Sequence, residues 1–327
     1  MPKGEYLQYG GQAIIEGVMM RSPKFISVAC RAPNGEIVDV TEPIEATWIG
    51  RQKWLKLPFL RGSLGILDAL VLGNRALRFS ANVQMDEKYQ PKPEGDDPRP
   101  SEETKKPVEN KKLQDATVVG AVVVGLALGI ALFNLLPNLI SAAFNSKVGV
   151  KADWRINLTT EIVKVVFFIG YIWLIGQMKE VKRIFQYHGA EHKAINAMEA
   201  EQDLSQQNCL AQTRLHPRCG TSFAIVVLIV SILLFTFIPR PPGPNAIVVG
   251  LLRFLMELPL LPVVAGISYE LIRFAGKFRS QSFVMALFWP GLMTQYLTTR
   301  EPDPDQVDVA IRALENVLEA ERAAATA

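Results

Sequence analysis

The sequence predicts an α+β protein in which an N-terminal, β-rich cytoplasmic domain is followed by a helical membrane bundle of about four spans. Two patterns predict this class: short apolar runs around a Pro33-Asn34-Gly35 turn signal, and four long apolar stretches after residue 115. The composition agrees, because 49% of the 327 residues are hydrophobic and only 20% are charged. A soluble domain usually carries about 25% charged residues.

The first 85 residues are predicted to form the α+β domain. Apolar runs at 13–21 and 25–31 are typical of strands, and the turn signal leads into a partner strand at 36–40. From Arg61 onward apolar residues recur at helical spacing, with Arg75 and Arg78 inside the stripe. This pattern predicts an amphipathic helix that lies on a membrane surface or against a partner.

Residues 86–115 are predicted to be a charged, flexible linker. Fifteen of the 27 residues from 86 to 112 are charged, and proline recurs among them. A segment with so few apolar residues cannot bury enough surface to fold by itself. The linker therefore separates the N-terminal domain from the part of the chain that enters the membrane.

Residues 116–300 are predicted to be the helical membrane domain. The segment 116–146 has no charged residue over 31 positions, and about 20 apolar residues are enough to cross hydrocarbon. Further candidate spans are 157–178, 219–239 and 245–275, and the last of these is either one kinked span or two half-spans. The run 283–293 is too short to cross, and Pro290 is expected to break it. Residues 301–327 are predicted to form a C-terminal amphipathic helix.

Basic residues in the loops predict the orientation. The segment 86–115 holds seven Lys and Arg residues and the loop 179–218 holds six, whereas the loop after the third candidate span holds only Arg240. The positive-inside rule then places both termini and the loop 179–218 in the cytoplasm of a multi-pass inner-membrane protein. The expected partners are the lipid bilayer and a cytoplasmic protein or a second copy. Nucleic-acid binding is excluded, because 35 Lys and Arg residues are nearly balanced by 32 Asp and Glu residues.

The sequence has three histidines, and all of them lie in the loop 179–218. His188 and His192 belong to an HxxEH string, which matches the signature of inverted zinc proteases. On a helix the two rings would project from the same face with Glu191 beside them. We therefore predict that the two histidines bind Zn²⁺, or another divalent transition metal, and that Glu191 is the catalytic base.

A third ligand is needed, and the sequence leaves three candidates open. His216 and Cys219 lie just before the third candidate span, and Glu270 lies near the end of the fourth. A closed set of four ligands would indicate a structural metal, whereas three ligands with an open position would indicate catalysis. Alternatively, the histidines and Glu191 form a hydrogen-bonded cluster without a metal.

Several strings resemble the bacterial YqhQ-like family. These strings begin at Tyr9 (Tyr-Gly-Gly-Gln-Ala-Ile-Ile-Glu-Gly), Tyr187 (Tyr-His-Gly-Ala-Glu-His-Lys), His216 (His-Pro-Arg-Cys-Gly-Thr) and Gly266 (Gly-Ile-Ser-Tyr-Glu), and they occur in order along nearly the whole chain. The resemblance implies a membrane domain of unknown function that is sometimes described as a predicted metal-dependent enzyme.

Three functions remain open at this point. The first is an integral membrane metal-dependent hydrolase, with a peptidase among the candidates, whose HxxEH site faces the cytoplasm. The second is a non-enzymatic membrane scaffold or assembly factor in which a structural metal or a His cluster stabilises the fold. The third is a transporter with Arg253, Glu257 and Glu270 along a polar path, although the sequence has no visible inverted repeat.

Overall fold

The computed structural model describes residues 9–44, 60–91, 120, 123–217, 219–277 and 281–326. Four strands form one antiparallel sheet in the order β1 to β4, and they are followed by a mostly helical chain. The strands are β1 (Gly10–Ile14), β2 (Gly17–Arg21), β3 (Phe25–Arg31) and β4 (Ile37–Pro43). The principal helices are α1 (Leu60–Met85), α2 (Val123–Val148), α3 (Asp153–Ile175), α4 (Lys179–Glu199), α5 (Gln206–Ala211), α6 (Gly220–Phe235), α7 (Ala246–Glu257), α8 (Leu261–Lys277), α9 (Ser282–Thr298) and α10 (Pro304–Thr326).

The predicted hairpin connects β3 to β4, and Arg31 pairs with Ile37 at its base. Gly35 has φ +88°, which is a backbone conformation that glycine adopts without steric cost. The sheet is buried on both faces, so β3 has five consecutive buried residues instead of an alternating pattern. The turn and strand signals in the N-terminal sequence thus match the observed sheet.

Helices cover both faces of the sheet. On one face Leu72 and Ala76 of α1 pack against residues such as Ile14 and Val28. On the other face α4 and α10 pack against residues of β2 and β3. Helix α10 therefore buries its apolar stripe in the domain that begins at the N-terminus; the buried residues of this stripe include Val307, Ala310, Leu314, Val317 and Leu318.

By its internal contacts the chain divides into two compact units that interleave along the sequence. The first unit comprises Met1–Pro91, Tyr171–Ser231 and Leu260–Ala327, and the second comprises Lys92–Gly170 and Ile232–Pro259. Within the predicted linker, Glu87–Tyr89 forms a 3-10 turn. The rest of that linker, residues 92–115, lies outside the described part of the chain.

Three helical stretches are long and apolar enough to cross a membrane: Val123–Val148, Asp153–Ile175 and Ala246–Phe274. The third predicted span corresponds to α6, which has only 16 residues. At 1.5 Å per residue such a helix is about 24 Å long, shorter than the ~30 Å hydrocarbon layer. Four spans of full length are therefore not confirmed.

Prolines interrupt the helices less than the sequence predicts. The stretch Ala246–Phe274 stays helical and contains one 3-10 turn at Leu258–Leu260, where Pro259 lacks the N–H that an α-helix would use. The prediction that Pro290 breaks the run 283–293 is wrong, because α9 continues through it. Proline lacks one backbone N–H, and the helix nevertheless extends from Ser282 to Thr298.

The second unit buries a ring of charged side chains. Lys164 binds Glu161 at 2.9 Å and Glu257 at 3.0 Å. Arg253, which is completely buried, lies 3.0 Å from Glu257 and 3.5 Å from Glu161. Its guanidinium also donates to Asn157. Two cations and two carboxylates therefore neutralise one another among apolar helices, where unpaired charges would be costly.

Candidate metal centre

Helix α4 presents His188 and His192 from the same face, one turn apart. Their ring centroids lie 4.5 Å from each other in an edge-to-face arrangement. The helix lies against β1, β2 and α10, and most of its second half is buried. The side chains of the HxxEH string are therefore held by a packed helix rather than by a mobile loop.

Cys219 brings a sulfur atom to the two histidines. It directly precedes the first residue of α6, and its Sγ lies 3.1 Å from His188 Nε2. The backbone N–H of Thr221 donates to the same sulfur at 3.4 Å. One ring nitrogen from each histidine and this sulfur all lie within 4.8 Å of one another. A helix N-terminus favours negative charge, which suits a sulfur that acts as a thiolate ligand.

Backbone carbonyls fix the orientation of both imidazole rings. His188 Nδ1 lies 2.9 Å from the carbonyl oxygen of Thr298, and His192 Nδ1 lies 2.5 Å from that of Arg214. In each ring Nδ1 then carries the proton that it donates to the carbonyl, and Nε2 keeps a lone pair for a metal. Metal-binding histidines are usually oriented in this way by a second hydrogen bond.

The donor set fits zinc chemically. Nitrogen and sulfur ligands at typical zinc distances and a tetrahedral angle are about 3.6 Å apart. The 3.1 Å separation of His188 Nε2 and Cys219 Sγ is about half an ångström shorter. A small outward movement of the sulfur would therefore accommodate an ion between the three residues.

The Glu191 side chain lies against the sheet, and its carboxylate is not one of the three potential ligands. A Cβ atom added at Gly11 of β1 would lie 2.8 Å from Glu191 Cγ, so glycine permits the close approach. The backbone N–H of Gly11 donates a hydrogen bond to the Glu191 carboxylate. Burial raises the pKa of Glu191 to about 7, although nearby His188 and the bond from Gly11 oppose the increase. A buried carboxyl with this pKa can hold or release a proton near neutrality.

The other two predicted ligands lie outside the three-residue group. The ring of His216 is 5.7 Å from that of His192, and its Nε2 lies 3.5 Å from a carboxylate oxygen of Glu199. Glu270 lies half-buried on α8 and does not belong to the group of potential ligands found among the described residues. Of the three candidates for the third ligand, the structure brings only Cys219 to both His188 and His192.

No motif in the sequence indicates the backbone groups around the site. Thr298 and Arg214 contribute carbonyl oxygens, which every residue has, and Gly189 is the point where α4 meets the C-terminal segment. A Cβ atom on Gly189 would lie 2.1 Å from the carbonyl oxygen of Arg300. The glycine of the HxxEH string is thus required by close packing.

The fold and this site together define a class of protein. Its members would combine helices that are apolar enough to cross a membrane with a four-stranded sheet, and a His/His/Cys cluster would lie at a helix that packs against this sheet. More particularly, the chain belongs to a family described as a protein of unknown function (DUF1385), whose model matches residues 57–320. It is 33% identical over 314 residues to the uncharacterized protein YqhQ of Bacillus subtilis (strain 168), an alignment that covers 96% of this chain and 93% of that protein. No solved structure gives a significant match. The resemblance to the YqhQ-like family is therefore confirmed.

Proposed function

We propose that this protein is an integral membrane metal-dependent hydrolase whose centre is formed by His188, His192 and Cys219. The observation that carries the proposal is the convergence of three ligand-type atoms within 4.8 Å, with both imidazoles oriented through Nδ1. Three ligands leave one position of a tetrahedral ion open, as in catalytic zinc sites. When bound there, Zn²⁺ would polarise a substrate carbonyl or activate water.

In this proposal Glu191 accepts the proton that is released during hydrolysis. Its support is its position one turn from His188 on the same helix and the fixed contact with Gly11. The N-terminal sheet would thus position the base. Cys219 directly precedes α6, and Thr298 is the last residue of α9. Both helices are predominantly apolar, so a substrate at the membrane surface could reach the site.

A structural metal is the second candidate function, and the position of His216 favours it. Its ring is 5.7 Å from His192, so a modest shift would add a fourth ligand and close the site. The protein would then be a scaffold or assembly factor. Metal affinity in a His216→Ala variant distinguishes the two functions, because it falls only if His216 is a ligand.

The test of the hydrolase begins with metal content measured by plasma mass spectrometry on detergent-purified protein. We expect about one zinc, iron or manganese ion per chain in the wild type and a loss of that ion in the His188→Ala/His192→Ala double variant. Glu191→Gln should keep the ion and abolish cleavage of a peptide library assayed by mass spectrometry. Absence of metal after purification without chelator and with metal supplied would refute the proposed mechanism.

We also propose a topology with four crossings of the inner membrane and both termini in the cytoplasm. The sheet, α4 and α10 pack together in one unit, so all three lie on the same side of the membrane in this proposal. An even number of crossings then separates the sheet from α4, and α4 from α10. If Ala246–Phe274 crosses once, the short α6 must cross as well. Its uncharged sequence continues beyond the helix to residue 239, which would complete the span. Labelling of Pro242→Cys in whole cells by an impermeant maleimide tests this, because only the four-crossing topology places it outside.

A further inference from the structure

Helix α1 has an apolar face that no described part of the protein covers. Ile66, Leu67, Leu70 and Val71 are exposed by 39, 51, 69 and 42% of their surface, respectively. These positions form a stripe along the first half of the helix, because residues three and four apart lie on one face. A contiguous exposed apolar patch of this kind marks an interaction surface.

The one charged side chain between residues 62 and 74 turns away from the stripe. Between residues 62 and 74 the sequence has a single charged residue, Asp68. Asp68 is buried and forms a 2.7 Å ion pair with Arg21 of β2. The exposed positions from Ile66 to Val71 therefore carry no charged side chain, whereas the inward face carries the polar contact with the sheet.

The same half of α1 packs against a helix that is predicted to be in the membrane. A Cβ atom on Gly62 would lie 2.7 Å from Tyr269 Cβ and 3.0 Å from Gly266 Cα, so α1 and α8 approach very closely. Small residues allow this kind of helix contact in membranes. Helix α8 contributes to the stretch Ala246–Phe274 and exposes apolar side chains of its own, including Val263 at 48%.

Basic residues follow the apolar stripe. Arg75 is half-exposed and pairs with Glu42, and Arg78 is exposed on the next turn. At 1.5 Å per residue the axial distance from Leu70 to Arg75 is about 7.5 Å. This distance is comparable to the thickness of the headgroup region on one side of a bilayer. Arginine near the end of an apolar helix segment typically reaches for lipid phosphates.

From these observations we propose that α1 is a membrane-inserted helix. Its first half lies beside α8 in the cytoplasmic leaflet, with Ile66, Leu67 and Leu70 in contact with acyl chains, and its second half leaves the membrane at Arg75. The occupant of the stripe is lipid, because the stripe continues the apolar surface of a spanning helix. Since the second half of α1 also packs on the sheet, this helix anchors the sheet and the metal centre at the membrane surface.

Fluorescence quenching by lipids tests the insertion. Leu70→Cys is labelled with a nitrobenzoxadiazole probe in otherwise intact protein and reconstituted into phosphatidylcholine–phosphatidylglycerol vesicles that carry nitroxide-labelled acyl chains. The three native cysteines are buried, so the introduced thiol reacts selectively, and labelled wild type gives the background. Val263→Cys on α8 is the control for a membrane position, and Asn82→Cys, exposed near the end of α1, is the control for water.

We expect the probe at residue 70 to be quenched as strongly as the probe at residue 263, with blue-shifted emission, while the probe at residue 82 stays unquenched. Quenching at 263 without quenching at 70 would overturn the insertion of α1 and leave the membrane assignment intact. A blue shift at 70 without quenching would mean that a second copy covers the stripe, which also overturns the proposal. If neither position is quenched, the membrane assignment itself fails.

Discussion

The buried charge ring of the second unit permits a prediction with a worked magnitude. In an Arg253→Met variant, Glu161 and Glu257 would share Lys164 as their remaining partner in the ring. One negative charge is then no longer balanced within the ring, where the Glu161 and Glu257 side chains are only 3% and 6% exposed. Removal of one partner of a buried ion pair costs about 3–5 kcal/mol, and we expect a loss of this size in the free energy of unfolding.

The double variant Arg253→Met/Glu257→Met tests the reasoning, because it removes one charge of each sign. Lys164 and Glu161 then remain as a neutral pair at 2.9 Å, so the double variant should recover at least about 1 kcal/mol relative to the sum of the single variants. The assay is unfolding in mixed micelles, followed by circular dichroism. Arg75→Met is the matched control, since its ion pair is half-exposed and is worth less than about 1 kcal/mol. Additive single effects would refute the interpretation of the ring as one coupled network.

Three further predictions concern the first unit. Gly189→Ala should destabilise the protein by about 1–3 kcal/mol in thermal unfolding, because the new Cβ atom would lie 2.1 Å from the carbonyl oxygen of Arg300. Gly10→Ala should be neutral, because a Cβ atom at this position would have no neighbouring atom within 4 Å. Zinc at about 100 times its Kd should stabilise the wild type by about 2.7 kcal/mol but should not stabilise the Cys219→Ser variant. Equal stabilisation of both proteins would exclude the sulfur as a ligand. The control is Cys209→Ser, which changes another buried cysteine. Burial, with smaller effects from nearby carboxylates, raises the pKa of Cys209 from 9.0 to about 11. Only the unfolded chain releases this proton between those values, so the contribution to stability is complete below pH 9 and is lost as the pH rises toward 11; titration of the thiol by ultraviolet absorbance checks the value.

Local patterns in the sequence predicted the local parts of the structure. The turn at Gly35 and the shared face of His188 and His192 depend on backbone geometry over a few residues, and both are present. The pattern is less informative for α1, where the sequence shows one apolar stripe but the structure has two apolar faces. Leu72 and Ala76 are buried against the sheet, while Leu70 stays exposed. Hydrophobic spacing alone does not distinguish a face that contacts protein from one that contacts lipid.

Contacts between distant segments could not be predicted. The sequence offered three candidates for the third ligand, and the position of Cys219 next to His188 depends on how α6 packs near α4, across 31 residues of sequence. No motif indicates the carbonyl oxygens of Thr298 and Arg214, because every residue has such an oxygen. Only the path of the folded backbone brings these two to the histidines. The five-residue motif thus predicted which side chains share one face of the helix, but not the atoms that surround them.

The arrangement around α4 indicates why the sheet domain and the C-terminal segment belong to the site rather than merely cover it. Glu16, in the turn between β1 and β2, binds Arg183 and accepts a 3.2 Å hydrogen bond from the Tyr187 hydroxyl. One turn further along the helix, Gly11 contacts Glu191 from the sheet side, and the carbonyl oxygen of Thr298 holds the ring of His188. Helix α4 is therefore contacted by the N-terminal strands on one side and by the end of α9 at His188. In the proposed metal centre, ligand geometry would have to be held within about half an ångström. The parts of the chain that are far from the motif in sequence would then position the ligands.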